Sequence, residues 1–224
     1  MTKDQTMKRL KAMANPQAVI GMKRFAVGGK NTLGISIPKL RNLAKQIGSD
    51  HQLAQELWNT GIHEARILAS MIDDPKKVTE KQLDLWVADF DSWDVCDQTC
   101  MNLFDKTSFA FEKAIEWPKN NQEFIRRAGF AMTAVLAWHR RDLPNSKFKK
   151  FFPIIKKYST DERNFVRKAV NWALRQIGKR DREICQKAIS VAKEIKHEHK
   201  ENKTANWIAS DALRELEKKI KNMD

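Results

Sequence analysis

Trp93 and Asp97 stand four residues apart in the run Asp91-Ser92-Trp93-Asp94-Val95-Cys96-Asp97. In a helix that spacing puts an indole and a carboxylate on one face. Such a pair could hold a water, or offset positive charge developing on a sugar while a glycosidic bond breaks. An ordinary ion-paired Asp97 fits the same spacing, and spacing alone leaves both readings open. Asp91 or Ser92 can cap the helix, and Asp94 suits its positive N-terminal end.

A second constellation lies in the stretch from Asp161 to Gly178. Placed at 100° steps, Phe165, Val166, Ala169, Val170, Ala173, Leu174 and Ile177 form an apolar face. Lys168, Trp172, Arg175 and Lys179 make a stripe beside it, with the tryptophan at the border of the apolar arc and cations one turn away on either side. Two readings compete: an edge-of-core tryptophan with arginine stacked on it, or an aromatic plate between phosphate clamps on a nucleotide surface. The equivalent stripe in the helix from Asn121 is Arg127, Ala131, Ala134 and Trp138. Its central alanines suit either close approach of a bulky partner or close helix packing.

The elements that must position these residues are helices, and two of them are near-copies. Glu123-Phe124-Ile125-Arg126-Arg127-Ala128 reappears as Asn164-Phe165-Val166-Arg167-Lys168-Ala169. The offset of about 40 residues is the period of HEAT-type repeats. A repeat that carries its charge at one helical phase builds a basic track.

The punctuation agrees with helix after helix. Expected segments are 4–14, 16–28, 38–48, 50–60, 62–73, 79–90, 92–104, 107–117, 121–139, 145–158, 161–178, 181–196 and 203–221. Asn15-Pro16 and Asp74-Pro75 fall between helices. Thr79 with Gln82 fits a capping box. Asp161 or Thr160 can cap the helix that follows, and Gly48 and Gly178 stand where a left-handed C-terminal residue is wanted. Gly28-Gly29-Lys30-Asn31-Thr32 lacks the Gly-x4-Gly-Lys-Ser/Thr order of a phosphate loop and reads as a turn.

Composition narrows the partner. With 42 basic and 28 acidic residues the formal charge is +14 and the pI about 9.7. That surplus favours phosphate backbones or anionic lipid heads, although a merely lysine-rich soluble surface is the bland alternative. No apolar run approaches the roughly 20 residues of a membrane span. Cys96, Cys100 and Cys185 are odd in number and lie in apolar contexts. Without a Cys-x-x-Cys pair or a signal peptide, a reducing cytoplasm is expected. His197 and His199 lie on different faces of a helix end with no third ligand in view, and His63 and His139 have no partner pattern, so no metal is expected.

Several segments, in order, resemble the AlkD family of DNA alkylation repair glycosylases. They are Met22-Lys23-Arg24-Phe25, Leu33-Gly34-Ile35-Ser36-Ile37-Pro38, Ser92 through Asp97, Phe124 through Ala128, and Phe165 through Arg175. The resemblance implies an all-α, right-handed solenoid of HEAT-like (armadillo-type) repeats, one domain over residues 1–224, cradling duplex DNA in its concave face. It implies hydrolysis of the N-glycosidic bond of N3- or N7-alkylated purines without base flipping and with no cofactor. Asp97 is then the catalytic carboxylate, Trp93 and Trp172 flank the lesion's deoxyribose, and Arg127 and Arg175 hold phosphates. Family members are monomers. Phe25 stands where the best-known members have tyrosine, which keeps the aromatic plane and loses a hydroxyl. Lys168 and Lys179 complete the expected DNA contacts.

Two rivals stay beside this reading: a non-catalytic HEAT-repeat DNA-binding protein, and a protein-interaction scaffold with an acidic partner.

Overall fold

A computed structural model describes residues 1–28 and 31–222. The middle of the Gly28–Thr32 turn therefore lies outside the described residues. The chain forms two compact units, Met1–Ser108 and Phe109–Asp224. No strand occurs among the described residues, and none of their helices is long and apolar enough to cross a membrane.

The first unit holds α1 (Lys3–Ala12), α2 (Pro16–Arg24), α3 (Ile37–Ile47), α4 (His51–Trp58), α5 (His63–Ile72), α6 (Glu80–Ala88) and α7 (Trp93–Asn102), then a 3-10 turn at Phe104–Lys106. Some helix starts follow the expected chemistry, but Ser92, the N-cap of α7, makes no side-chain cap hydrogen bond. The Asn15 side chain accepts from Ala18 N, with Pro16 in the first turn. Thr79 accepts from Gln82 N, but the box is not reciprocal, because the Gln82 amide donates to Asp73 Oδ2 at 2.7 Å instead. The helix expected to run to residue 28 stops at Arg24, and Ala26 takes a positive φ of 50°. The core gathers Leu10, Leu40, Leu57, Ile67, Leu68, Leu83 and Phe104. Trp58 stacks on Trp86 at 3.9 Å and 6°, and its indole N–H donates to Asp89 Oδ2 at 2.8 Å.

In the second unit are α8 (Ala110–Glu116), a 3-10 turn at Trp117–Lys119, α9 (Glu123–His139), α10 (Asn145–Lys149), α11 (Phe152–Lys157), α12 (Asn164–Gly178), α13 (Arg182–Glu198) and α14 (Lys203–Ile220). The single helix expected over 145–158 is two, because Pro153 in the first turn of α11 has no N–H for a continuing ladder. Arg163, rather than Asp161 or Thr160, is the N-cap of α12, and Asp161 Oδ1 accepts from Arg163 N at 3.2 Å. Gly48 has the expected positive φ (77°). Gly178 does not need one. It ends α12 fully buried, and a Cβ there would lie 2.7 Å from the Leu216 side chain. Its role is close passage of α14 over α12.

The two near-copies pack as repeats. Helices α9 and α12 lie against each other, and the paired Phe124 and Phe165 rings are 5.4 Å apart. The following arginines repeat too: Arg126 sits over Tyr158 at 4.5 Å and Arg167 over Trp207 at 5.4 Å. Each anchors its helix to an aromatic ring outside it.

Candidate nucleic-acid interface

In the first unit, α7 divides cleanly. Val95, Cys96, Thr99 and Cys100 are buried, while Trp93, Asp94, Asp97 and Gln98 are half-buried. Trp93 and Asp97 therefore share the accessible face, one turn apart. Cys96 and Cys100 are free thiols packed in the core. Burial first, then Cys96 and the negative charge of Asp97 and Asp105, push the Cys100 thiol well up, so it stays protonated.

The start of α7 is tied to the chain just after α2. Trp93 Nε1 donates to the Phe25 carbonyl at 3.2 Å, which holds the indole in place and leaves the Phe25 ring 76% exposed. Gly28 N donates to Asp94 Oδ1 at 3.4 Å. The other Asp94 oxygen lies 2.8 Å from Nε2 of buried His63. That is a charge contact rather than an aligned hydrogen bond, and His63 Nδ1 has no hydrogen-bond partner among the described residues. Burial opposes charge on both groups, but each partner outweighs it for the other. The Asp94 contact, with Glu64 and Asp91 behind it, holds His63 above its ordinary 6.5. The His63 contact holds Asp94 below 3.8. Asp94 thus does more than meet the α7 dipole.

Fully buried Glu64 organises the Leu33-Gly34-Ile35 segment. Its Oε2 accepts from Leu33 N at 2.8 Å, and its Oε1 from Gly34 N at 2.6 Å and Ile35 N at 3.2 Å. Gly34 has φ of 80°, and any Cβ would meet the Asn15 carbonyl at 2.2 Å. Only glycine fits there.

In the second unit, the α12 stripe is where the periodicity put it. Lys168 is exposed, while Trp172, Arg175 and Lys179 are half-buried beside the apolar face. The cations are engaged from α14: Arg175 NH1 and Lys179 Nζ share the Glu215 carboxylate, and Arg175 Nε lies 3.6 Å from Asp211 Oδ2. Burial would raise Glu215, but Lys179 and Arg175 together hold it below 4.5. An ion pair this exposed is worth about 0–1 kcal/mol.

The α9 stripe differs. Ala131 and Ala134 are fully buried, so those small residues serve helix packing. Arg127 is only 5% exposed, and its NH1 donates to the Phe165 carbonyl at 2.6 Å. Expected at a phosphate, it here braces α9 against α12. Trp138, at the end of the stripe, is 49% exposed.

Sequence reading missed His63, Glu64, Asp211 and Glu215. For the last two a signal existed: acids four apart match the four-residue spacing of Arg175 and Lys179. For His63 and Glu64 there was none, since their partners, Asp94 in the first turn of α7 and the Leu33–Ile35 backbone, lie about 30 residues away in sequence.

Helical pairs that recur with a period of about 40 residues define an all-α protein of the HEAT-like repeat class. Residues 6–216 match the family described as DNA alkylation repair enzyme, and the chain belongs to that family. It is 22% identical over 222 residues to an uncharacterized protein of Listeria innocua serovar 6a, with 97% of each chain covered. The fold is similar to that of a solved structure described as "A new family of proteins related to the HEAT-like repeat DNA glycosylases with affinity for branched DNA structures". The TM-score is 0.77 at 21% identity, covering 87% of this chain and 83% of that one.

Proposed function

We propose that the protein is a DNA glycosylase that hydrolyses the N-glycosidic bond of N3- or N7-alkylated purines in duplex DNA, without flipping the base and without a cofactor. The observation that carries this reading is the accessible face of α7, where Asp97 follows Trp93 by one turn and Trp93 is pinned through its own N–H. An alkylated purine is already cationic, so the C1′–N bond can break with its electron pair neutralising the base. The developing charge is then on the sugar. A carboxylate about 4 Å away stabilises it by about 4 kcal/mol at an effective dielectric near 20, roughly a thousandfold in rate. Asp97 supplies that charge, orients the water whose oxygen bonds to C1′ and takes the proton that water loses, while Trp93 covers the sugar. Phe25 extends the aromatic surface beside it. In the second unit Lys168, Arg175 and Lys179 take phosphates and Trp172 lies along the backbone; Arg127 keeps α12 in register beneath them.

Incubation with methylated duplex DNA and chromatography of the released bases tests this. Free N7-methylguanine or N3-methyladenine is the expected product, and its absence at high protein concentration removes the enzymatic reading. The second reading is DNA binding without catalysis, favoured by the described affinity of the structural neighbour for branched DNA. It predicts binding with no base release.

A further inference from the structure

At the C-terminal ends of α9 and α12 two arginines clasp each other's helix. Arg180 NH1 donates to the carbonyls of Ala137 at 3.1 Å and Arg140 at 3.0 Å, and its NH2 to Leu143 at 2.6 Å. In return, Arg141 NH1 donates to the carbonyls of Lys179 at 3.2 Å and Arg180 at 2.9 Å. Arg180 also lies 3.8 Å over the Phe148 ring, which fixes it from below. Carbonyls that a helix end leaves unpaired are satisfied in this way, and both ends are immobilised.

Trp138 sits within this clasp, one residue after the held Ala137 carbonyl, yet its indole is 49% exposed. The His139 ring leans on it with centroids 4.8 Å apart. Core packing does not account for so large an exposed indole, since α9 residues from Phe130 to Ala137 are buried at or below 1%. Trp138 precedes Lys179 by about one repeat period and so ends the same helical track that Lys168, Arg175 and Lys179 follow on α12. Arg180, on the carbonyl of the preceding residue, and Arg141, three residues on, donate to neutral carbonyls and so keep their positive charge beside it, whereas Lys179 is paired with Glu215 and Arg140 with Asp142 in a two-point pair at 3.0 and 2.9 Å. An exposed π-face held rigidly beside two arginine charges is what an unpaired base stacks on, because the ring takes the base and the positive charge draws the flanking phosphates towards it. A base inside a duplex is already stacked on both sides and offers nothing to it.

We propose that Trp138, backed by His139, is a stacking platform for an unpaired nucleotide adjoining the duplex bound by the α12 stripe. This rests on the DNA-binding part of the proposed function and not on catalysis. The platform gives the protein a preference for duplexes with a single-stranded tail or a gap.

The test measures binding of the full chain, by fluorescence anisotropy at fixed salt, to a blunt duplex and to the same duplex carrying a short oligothymidine tail. Wild type binds the tailed duplex more tightly. Trp138→Ala loses that advantage, about fivefold or more, with blunt-duplex affinity unchanged, and Trp138→Phe keeps most of it. If wild type and Trp138→Ala show the same ratio while both bind blunt duplex, the platform is refuted and DNA binding stands. If wild type binds neither probe, the underlying reading fails as well. A Trp138→Ala change in oligomeric state by light scattering would instead make this face a contact between copies and overturn the proposal.

Discussion

Asp94 Oδ2 lies 2.8 Å from Nε2 of His63, whose side chain is 1% exposed, and through its other oxygen Asp94 takes the Gly28 amide. One carboxylate therefore links the start of α5, the start of α7 and the turn that follows α2. The contact is charged only while His63 is protonated and Asp94 is not.

That gives a pH dependence with a definite sign. The His63 pKa is raised in the folded state, so its contribution is complete below 6.5 and is lost as pH rises through the raised value. The Asp94 pKa is lowered, so its contribution is present above 3.8 and is lost as pH falls through the lowered value. Urea unfolding over a pH series is expected to show stability declining on the alkaline side of 6.5 in wild type, and a flatter curve for His63→Gln. Parallel curves for the two proteins would show that the pair is not linked to folding.

Asp97→Asn keeps size and shape on the accessible face of α7 and removes the charge. Base release from methylated duplex DNA is expected to fall about a thousandfold, with duplex affinity within a few-fold of wild type. Full activity in the variant would take Asp97 out of the chemistry.

Glu215 pairs with Arg175 and Lys179, so under the proposed function it competes with phosphate for them. Glu215→Gln should tighten duplex binding severalfold. Arg175→Ala should weaken it on every sequence and flatten the slope of log K against log salt by roughly 0.9. An unchanged salt slope for Arg175→Ala would mean that no phosphate is held there.

Gly34→Ala tests the Glu64 anchor from the backbone side. Its Cβ would lie 2.2 Å from the Asn15 carbonyl at a φ of 80°. Strain and overpacking of this kind cost about 3 kcal/mol together, readable as a lower denaturation midpoint at constant slope. A midpoint equal to wild type would show that the segment relaxes freely.

Sequence by itself determined the all-helical class, the phase of the helices that carry the site and their repetition, but not every helix end, as the break at Pro153 shows. The 3.6-residue period placed Trp93 with Asp97 on one face of α7, aligned Lys168, Trp172, Arg175 and Lys179 along α12, and paired Phe124 with Phe165. Each follows from spacing within a helix or from a period between copies, which are local quantities. Tertiary structure decided which charges meet. Arg127 and Arg175 read alike in sequence, yet one is buried on a carbonyl and the other sits near the surface against an acid. Gly178 reads as a helix stop and is a packing contact with Leu216. His63 and Glu64 carried no sign of their partners, which lie about 30 residues away in sequence on other elements. A helix fixes the direction in which a side chain points, but only the packing of one helix on the next decides what it finds there.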